Sequence, residues 1–312
     1  MVSLRRSATL AAPAQVQPAR VGPLERRERK LFIAFLTPGI LLAIGALFIP
    51  VFYAIQLSFY HAESFIDTPQ FVGLANYVRI FTDPRYWEAF WHGLFYASAT
   101  VFLQVVIGIA IALLLHQEFR GRNWLRSAAL APYILPTVVV VYIWKWLLNM
   151  NHGLINTGLE AMGIAPVAWF SSVVGAWFSI IFVSVWYWTP FVTITFLAAL
   201  QSISDDLYDA AAVDGANSWQ KLFHVTLPVL KPVLVVIIML RTIFMFNKFD
   251  IVWLITNGGP LTATEHLPIL AYQKTFDMFD IGGGTAVATS IFLFLTLLIW
   301  LYFKLFPLEE MN

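Results

Sequence analysis

Two cationic side chains, Arg241 and Lys248, stand in the strongly apolar stretch MLRTIFMFNKFDIVWLIT. On a continuous helix the i, i+4, i+7 spacing lines up Arg241, Met245 and Lys248 along one face. Asp250 then falls nearly opposite Lys248 around the axis. Counting from residue 229 at 1.5 Å per residue, Arg241 sits about 18 Å along the helix. If that helix crosses a bilayer, Arg241 is near its centre, where an ionisable group costs several kcal/mol and marks a functional site by default. Two cations with no acid on their face favour an anion, and Arg can hold an oxyanion through two parallel hydrogen bonds. Both groups also donate to the hydroxyls of a neutral polyol. The structural alternative pairs Arg241 with a neighbouring helix and lets Lys248 snorkel to the outer surface.

A second stretch is built for contact rather than for chemistry. Residues 209–228 read DAAAVDGANSWQKLFHVTLP between two apolar segments. Ser202 and Asp205 have the spacing of a capping box, and Asp205 and Asp206 suit the positive end of a helix dipole. A short helix through Leu207, Ala210 and Ala211 follows, and Gly215 can take the left-handed turn that ends it. A second short helix runs from Trp219 to Val225, up to Pro228, and Pro232 fits the first turn of the next segment. Small alanines permit close approach by another protein surface. An amphipathic helix lying on the membrane or on its own bundle is the other reading of this stretch.

The elements that must position these residues follow from composition. The chain has 312 residues, 59% hydrophobic and 12% charged, with 12 Trp, 27 Phe and no Cys. Its mean hydropathy is +0.74. That excludes a soluble fold, and the missing thiols exclude a disulfide framework and a thiolate metal site. Apolar segments at 31–60, 89–115, 127–148, 171–200, 229–256 and 281–303 are each long enough to cross a hydrocarbon core about 30 Å thick. They lack the period-2 alternation of barrel strands, so the reading is an all-α polytopic membrane protein of six helices. The basic, Ala/Pro-rich residues 1–30 cannot bury a core and are expected to be a disordered tail. The first apolar segment is about twice too long for a cleaved signal peptide. Residues 31–306 form the membrane domain, with the 202–228 loop inside it, and 307–312 form a short tail.

Of the 19 Lys and Arg, thirteen flank one face and Arg79, Arg85 and Lys274 flank the other. The positive-inside rule puts both termini and the 202–228 loop in the cytoplasm. Pro132 and Pro136 interrupt the third segment and free backbone carbonyls, which only protein or a wet cavity tolerates. A plain packing kink is an equal alternative there. Trp144, Lys145, Trp146 and Trp169 are accounted for by an outer aromatic belt. The chain contains no G-x-x-x-x-G-K-[ST] and no H-E-x-x-H, so ATP binding in a P-loop and zincin chemistry are not expected of it.

The stretch LYDAAAVDGANSWQKLFHVTLPVLKP resembles the cytoplasmic "EAA" loop of ABC importer permeases, with Asp209 where the family usually has Glu. FLTPGILLAIGALFIPVFYAIQLSFY, FVGLANY, APYILPT, WYWTPF and LITNGGP extend the resemblance over nearly the whole chain. They are similar to the carbohydrate-importer branch and, through Asn257–Pro260, to the F-type permease of maltose transporters and to compact glycerol-phosphate permeases. The resemblance implies a type I ABC importer permease fold in which the loop forms a coupling helix that docks on a separate ATPase. Asp209, Ala210, Ala211, Asp214, Gly215, Ala216 and Pro228 would carry that contact. It also implies a solute site at Tyr133, Thr137, Ser184, Tyr187, Trp188, Phe191, Arg241, Met245 and Lys248. Aromatic faces suit a sugar's C–H face, and hydroxyl and charged groups fix its oxygens.

The expectation is a permease subunit importing a sugar or sugar derivative, with an anionic solute among the possibilities, and not an enzyme. Its partners would be a homologous second permease, two ATP-binding subunits that use ATP and Mg, an extracytoplasmic solute-binding protein and the lipid bilayer. No cofactor, metal or nucleic acid is expected on this chain, and its place is a bacterial inner membrane. A secondary transporter and a membrane-embedded enzyme are the rivals. The first would run without an ATPase, and the second would need a catalytic constellation that the sequence lacks.

Overall fold

The structure, a computed structural model, describes residues 23–62 and 68–306. Residues 1–22 of the expected tail, and the whole of the expected 307–312 tail, lie outside the described residues. Two compact units divide at residue 53. The first contains most of helix α1 (Pro23–Leu57), with Pro38 and Pro50 inside it. The helix begins before the expected onset at residue 31. Pro suits its first position, and the Glu, Arg and Lys residues that follow are good helix formers.

The second unit takes in the end of α1 from Ala54 and then a two-residue antiparallel ladder, β1 (Tyr60–His61) against β2 (Gln70–Phe71). Then come α2 (Ala75–Thr82), α3 (Pro84–His116), α4 (Arg122–Ile134), α5 (Thr137–Leu147), α6 (Leu154–Ala161) and α7 (Val173–Leu200). Next are α8 (Asp205–Val213) and α9 (Ser218–Lys221), which continues through a π-turn into α10 (Leu227–Val229). The chain ends with α11 (Lys231–Phe246), α12 (Asp250–Thr256), α13 (Leu267–Tyr272) and α14 (Ile281–Leu305). The long helices start where local chemistry predicts. Asp83 accepts from the Arg85 amide ahead of Pro84, Ser172 accepts from Gly175, and Asp280 accepts from Gly283; each satisfies an orphan amide of a first turn.

Among the described residues four helices are long and apolar enough to span, and two bent pairs bring the number to as many as six. The pair α4 and α5 turns by 99° at Leu135–Pro136, where the sequence places its prolines. The fifth expected helix, 229–256, is not continuous: α11 stops at Phe246 and α12 starts at Asp250. No proline marks that interruption; the second bent pair lies earlier, at Leu230, where 218–229 and 231–246 meet at 73° between Pro228 and Pro232.

Helices α3 and α7 form the spine of this unit. Gly108 lets them touch: a Cβ there would lie 2.7 Å from Val192 Cγ1 and 3.3 Å from the Thr193 amide nitrogen. Small residues at such crossings substitute close packing for the hydrophobic drive that lipid removes. One buried cluster joins α3 to α13 and α14 around Tyr86, Phe246 and Val287. A second gathers Tyr96, Tyr187, Val252 and Ile269 under α5 and α12. A third, around Ala112, Phe196 and Ile237, sits beside the connection into α8.

Candidate functional site

Trp188, on α7, is the centre on which the breaks at Leu135–Pro136 and Asn247–Phe249 converge. The Arg241 guanidinium lies 4.8 Å from the centroid of the Trp188 ring, and the Lys248 ammonium lies 4.6 Å from it. Phe191, one helical turn on, is 5.5 Å from Arg241 Cζ. Tyr133, from the end of α4, meets Trp188 edge-on at 5.6 Å, and Tyr187 packs at 4.9 Å. An aromatic face attracts a cation most strongly when both are desolvated. The Trp188 indole nitrogen is buried without an acceptor among the described residues.

Arg241 is 1% exposed. Its Nε donates to Gln104 Oε1 at 2.8 Å and its Nη2 to Met245 Sδ at 3.6 Å. Among the described residues no carboxylate lies within ion-pair distance of it. Gln104 in turn donates to the Ser184 carbonyl at 3.2 Å, and the Ser184 hydroxyl shares a 2.6 Å hydrogen bond with Tyr96. Tyr187 donates to the Leu135 carbonyl at 2.8 Å, and Thr137 donates to the Tyr187 hydroxyl at 3.3 Å. That carbonyl belongs to the proline-broken turn, so the freed acceptor is satisfied by protein.

All nine residues of the candidate solute site therefore fall into one connected region, but not in the way the helical spacing implies. Arg241 and Met245 share α11, whereas Lys248 lies past its end and reaches Trp188 through the turn at Asn247–Phe249. Asp250 is not opposite Lys248. Its Oδ1 is 2.9 Å from Lys248 Nζ, with Lys248 15% and Asp250 38% exposed at the side chain. The expectation of two cations without a nearby acid is corrected accordingly. A helical wheel assumes unbroken 3.6-residue geometry, and the turn at 247–249 removes that assumption.

The break is held from outside the spans. His266 Nε2 hydrogen-bonds the Lys248 carbonyl at 2.6 Å, and burial pushes the His266 pKa down to about 4. The neutral ring thus donates from Nε2 to a carbonyl that α11 cannot use. Next to it, buried Glu265 accepts from Arg85 Nε at 2.9 Å and Nη2 at 2.6 Å. Lys145 donates to the Leu254 carbonyl at 3.0 Å, near the α12 C-terminus, a role beyond the aromatic belt. An apolar groove of ≈ 510 Å³ between α3, α4 and α7, bounded by Leu103, Ile107, Phe182 and Pro190, contains none of the nine residues. It has no charge to read a solute, so the chemistry stays with Trp188.

Sequence reasoning missed Gln104 and Tyr96. A lone amide inside an apolar span was the available signal for Gln104, since such groups face the interior and find partners.

The 202–228 loop folds into two short helices with exposed apolar side chains. No residue of α8 is buried, and Leu207, Val213, Trp219 and Phe223 all stand exposed. Asp209, Ala210 and Asp214 are exposed, Ala211 and Ala216 half-buried, and Pro228 is exposed in α10. Gly215 has φ +80°, with Ala216 N–H on the Ala211 carbonyl and Gly215 N–H on the Ala212 carbonyl. That is the paired hydrogen bonding of a Schellman ending. The cap expected from Ser202 is supplied instead by Ser204, which accepts from the Asp206 amide, while Ser202 bonds back to Ala199. Buried Ile203 holds the chain between the two helices, which moves the start by two residues. The capping box lies further on, at Asn217 and Gln220.

With this geometry the chain proves to be a broken-helix membrane transport subunit. Residues 104–307 match the family described as binding-protein-dependent transport system inner membrane components, and the chain belongs to that family. It is 34% identical to the trehalose/maltose transport system permease protein MalF of Thermococcus litoralis, over 90% of this chain and 95% of that one. It is 33% identical to the sulfoquinovosyl glycerol transport system permease protein SmoG of Agrobacterium fabrum, over 86% and 88% of the two chains. In fold it matches a chain of a bacterial alginate ABC transporter, with TM-score 0.79 and 21% identity over 93% of this chain and 98% of that one. The fold is that of a type I ABC importer permease, and the chain is a sugar-type ABC importer permease of the inner membrane, a transport subunit rather than an enzyme.

Proposed function

We propose that the residues around Trp188 form the solute site of this permease and that the 202–228 loop is its ATPase contact. The convergence of the breaks at Leu135–Pro136 and Asn247–Phe249 on one aromatic ring carrying two cations supports the first claim. Broken helices line cavities where backbone and side-chain groups meet a solute. Tyr133, Tyr187, Trp188 and Phe191 offer aromatic faces, and Thr137, Ser184, Arg241 and Lys248 offer polar groups. Relatives named for trehalose/maltose, trehalose and sulfoquinovosyl glycerol transport support a small glycoside as the solute class.

Exposed Leu207, Val213, Trp219 and Phe223, around a glycine-fixed turn, support the second claim. A homologous second permease, two ATP-binding subunits using ATP and Mg, and an extracytoplasmic binding protein complete the assembly. Both termini and the loop face the cytoplasm, in keeping with the distribution of Lys and Arg. Closure of the ATPase dimer would rock the loop and, through α11, alternate access to Trp188.

Co-expression with the neighbouring transporter genes tests this. The permease should co-purify with an ATPase whose activity rises with loaded binding protein, and Trp188→Ala should lose that stimulation while keeping the complex. Solute uptake without any ATPase would refute it. The chain has no Cys, so a single Cys at 209 reports loop topology: labelling from the outside would refute the orientation.

A further inference from the structure

The charges around Trp188 do not balance, and the imbalance identifies one residue. Lys248 is compensated by Asp250 at 2.9 Å. Arg241 has no compensating carboxylate among the described residues: its neighbours are Gln104, Met245, and the faces of Trp188 and Phe191. An amide oxygen, a thioether and two rings hold a guanidinium in place without cancelling its charge. The Trp188 indole N–H, buried without an acceptor, adds a second donor lacking an anionic or oxygen partner at the same ring.

A buried ion without a counter-ion is retained at a cost unless something supplies the missing charge. From this we infer that Arg241 is the specificity-determining residue, and that the solute carries one negative charge, a carboxylate, sulfonate or phosphate monoester on a glycoside, which reaches Arg241 when the path opens. Lys248 and Asp250 act as a neutral pair that holds the α11–α12 turn and offers hydrogen bonds to hydroxyls. The inference rests on the Trp188 region being the solute site. It differs from simple attraction by two cations, because it assigns the anion to Arg241 alone.

The test uses the complete complex with its partner permease and ATPases in nanodiscs, probed with methyl β-glucuronide and with neutral methyl β-glucoside. Thermal unfolding is followed as each probe is added. The glucuronide should half-saturate the wild type at a concentration at least about tenfold below that of the glucoside, the factor a charge-assisted bond supplies. Arg241→Gln should erase that ratio. The double variant Lys248→Gln/Asp250→Asn should weaken both probes and keep their ratio, because it removes a neutral pair. Lys248→Gln alone, which strands Asp250, should lower the ratio. A glucoside equal to or better than the glucuronide, no response of the wild type to either probe, or a ratio that survives Arg241→Gln would each overturn the assignment. Failure of the importer reading is separate and shows as an absence of any ATPase in the purified complex.

Discussion

Gly215 offers the sharpest perturbation of the loop. Its φ of +80° is left-handed, and a Cβ there would meet nothing within 4 Å. Substitution therefore costs only backbone torsion, about 1–2 kcal/mol for an ordinary L-residue, more when β-branched and less for Asn. The free loop can relieve that cost by fraying, because no residue of α8 is buried. A docked loop cannot, since α8 and α9 must hold their mutual angle against the partner. The cost then appears as lost affinity for the ATPase, roughly five- to thirtyfold for 1–2 kcal/mol. The order should be Gly215→Asn mildest, Gly215→Ala intermediate and Gly215→Val worst. The assay is titration of the detergent-solubilised permease pair with purified ATPase, alongside thermal unfolding of the pair alone. Unfolding should stay unchanged across the series. Equal affinities for Gly, Ala and Val would refute the reasoning, because either the turn would not be part of the contact or the left-handed geometry would not be needed.

Other predictions rest on the packed unit. Gly108→Ala should destabilise the solubilised protein by about 1–3 kcal/mol through overpacking, and Val192→Ala should recover little of it in thermal unfolding, since the added Cβ would still lie 2.8 Å from the Val192 Cβ. Glu265→Ala removes the partner of Arg85. Because Arg85 keeps 31% side-chain exposure, the loss should fall below that of a fully buried pair, at about 1–3 kcal/mol in the same measurement. His266, with its pKa lowered to about 4, is protonated first in the unfolded chain, whose ordinary value is about 6.5. Its contribution is therefore complete above pH 6.5 and is lost as pH falls toward 4, by roughly 3 kcal/mol in all. His266→Gln, which can still donate to the Lys248 carbonyl, should flatten that part of the pH–stability profile; an unaltered profile would count against a buried neutral imidazole.

The sequence alone determined the helical class, the four continuous spans and the Gly215 turn. Each depends on neighbours within a few residues: apolar runs long enough to cross a bilayer, and a glycine where a helix must end in the left-handed region. The bend between α4 and α5 was legible for the same reason, since Pro132 and Pro136 remove amides locally. Tertiary structure decided the rest of the site. The turn at Asn247–Phe249 carries no proline, and His266 and Lys145, distant in sequence, satisfy the carbonyls around α12. Once that turn exists, Lys248 leaves the face it would share with Arg241, reaches Trp188 from another direction and meets Asp250. Gln104 meets Arg241 across 137 residues. Periodicity fixes which way a side chain points only while a helix stays continuous, whereas which charges compensate one another depends on contacts between helices.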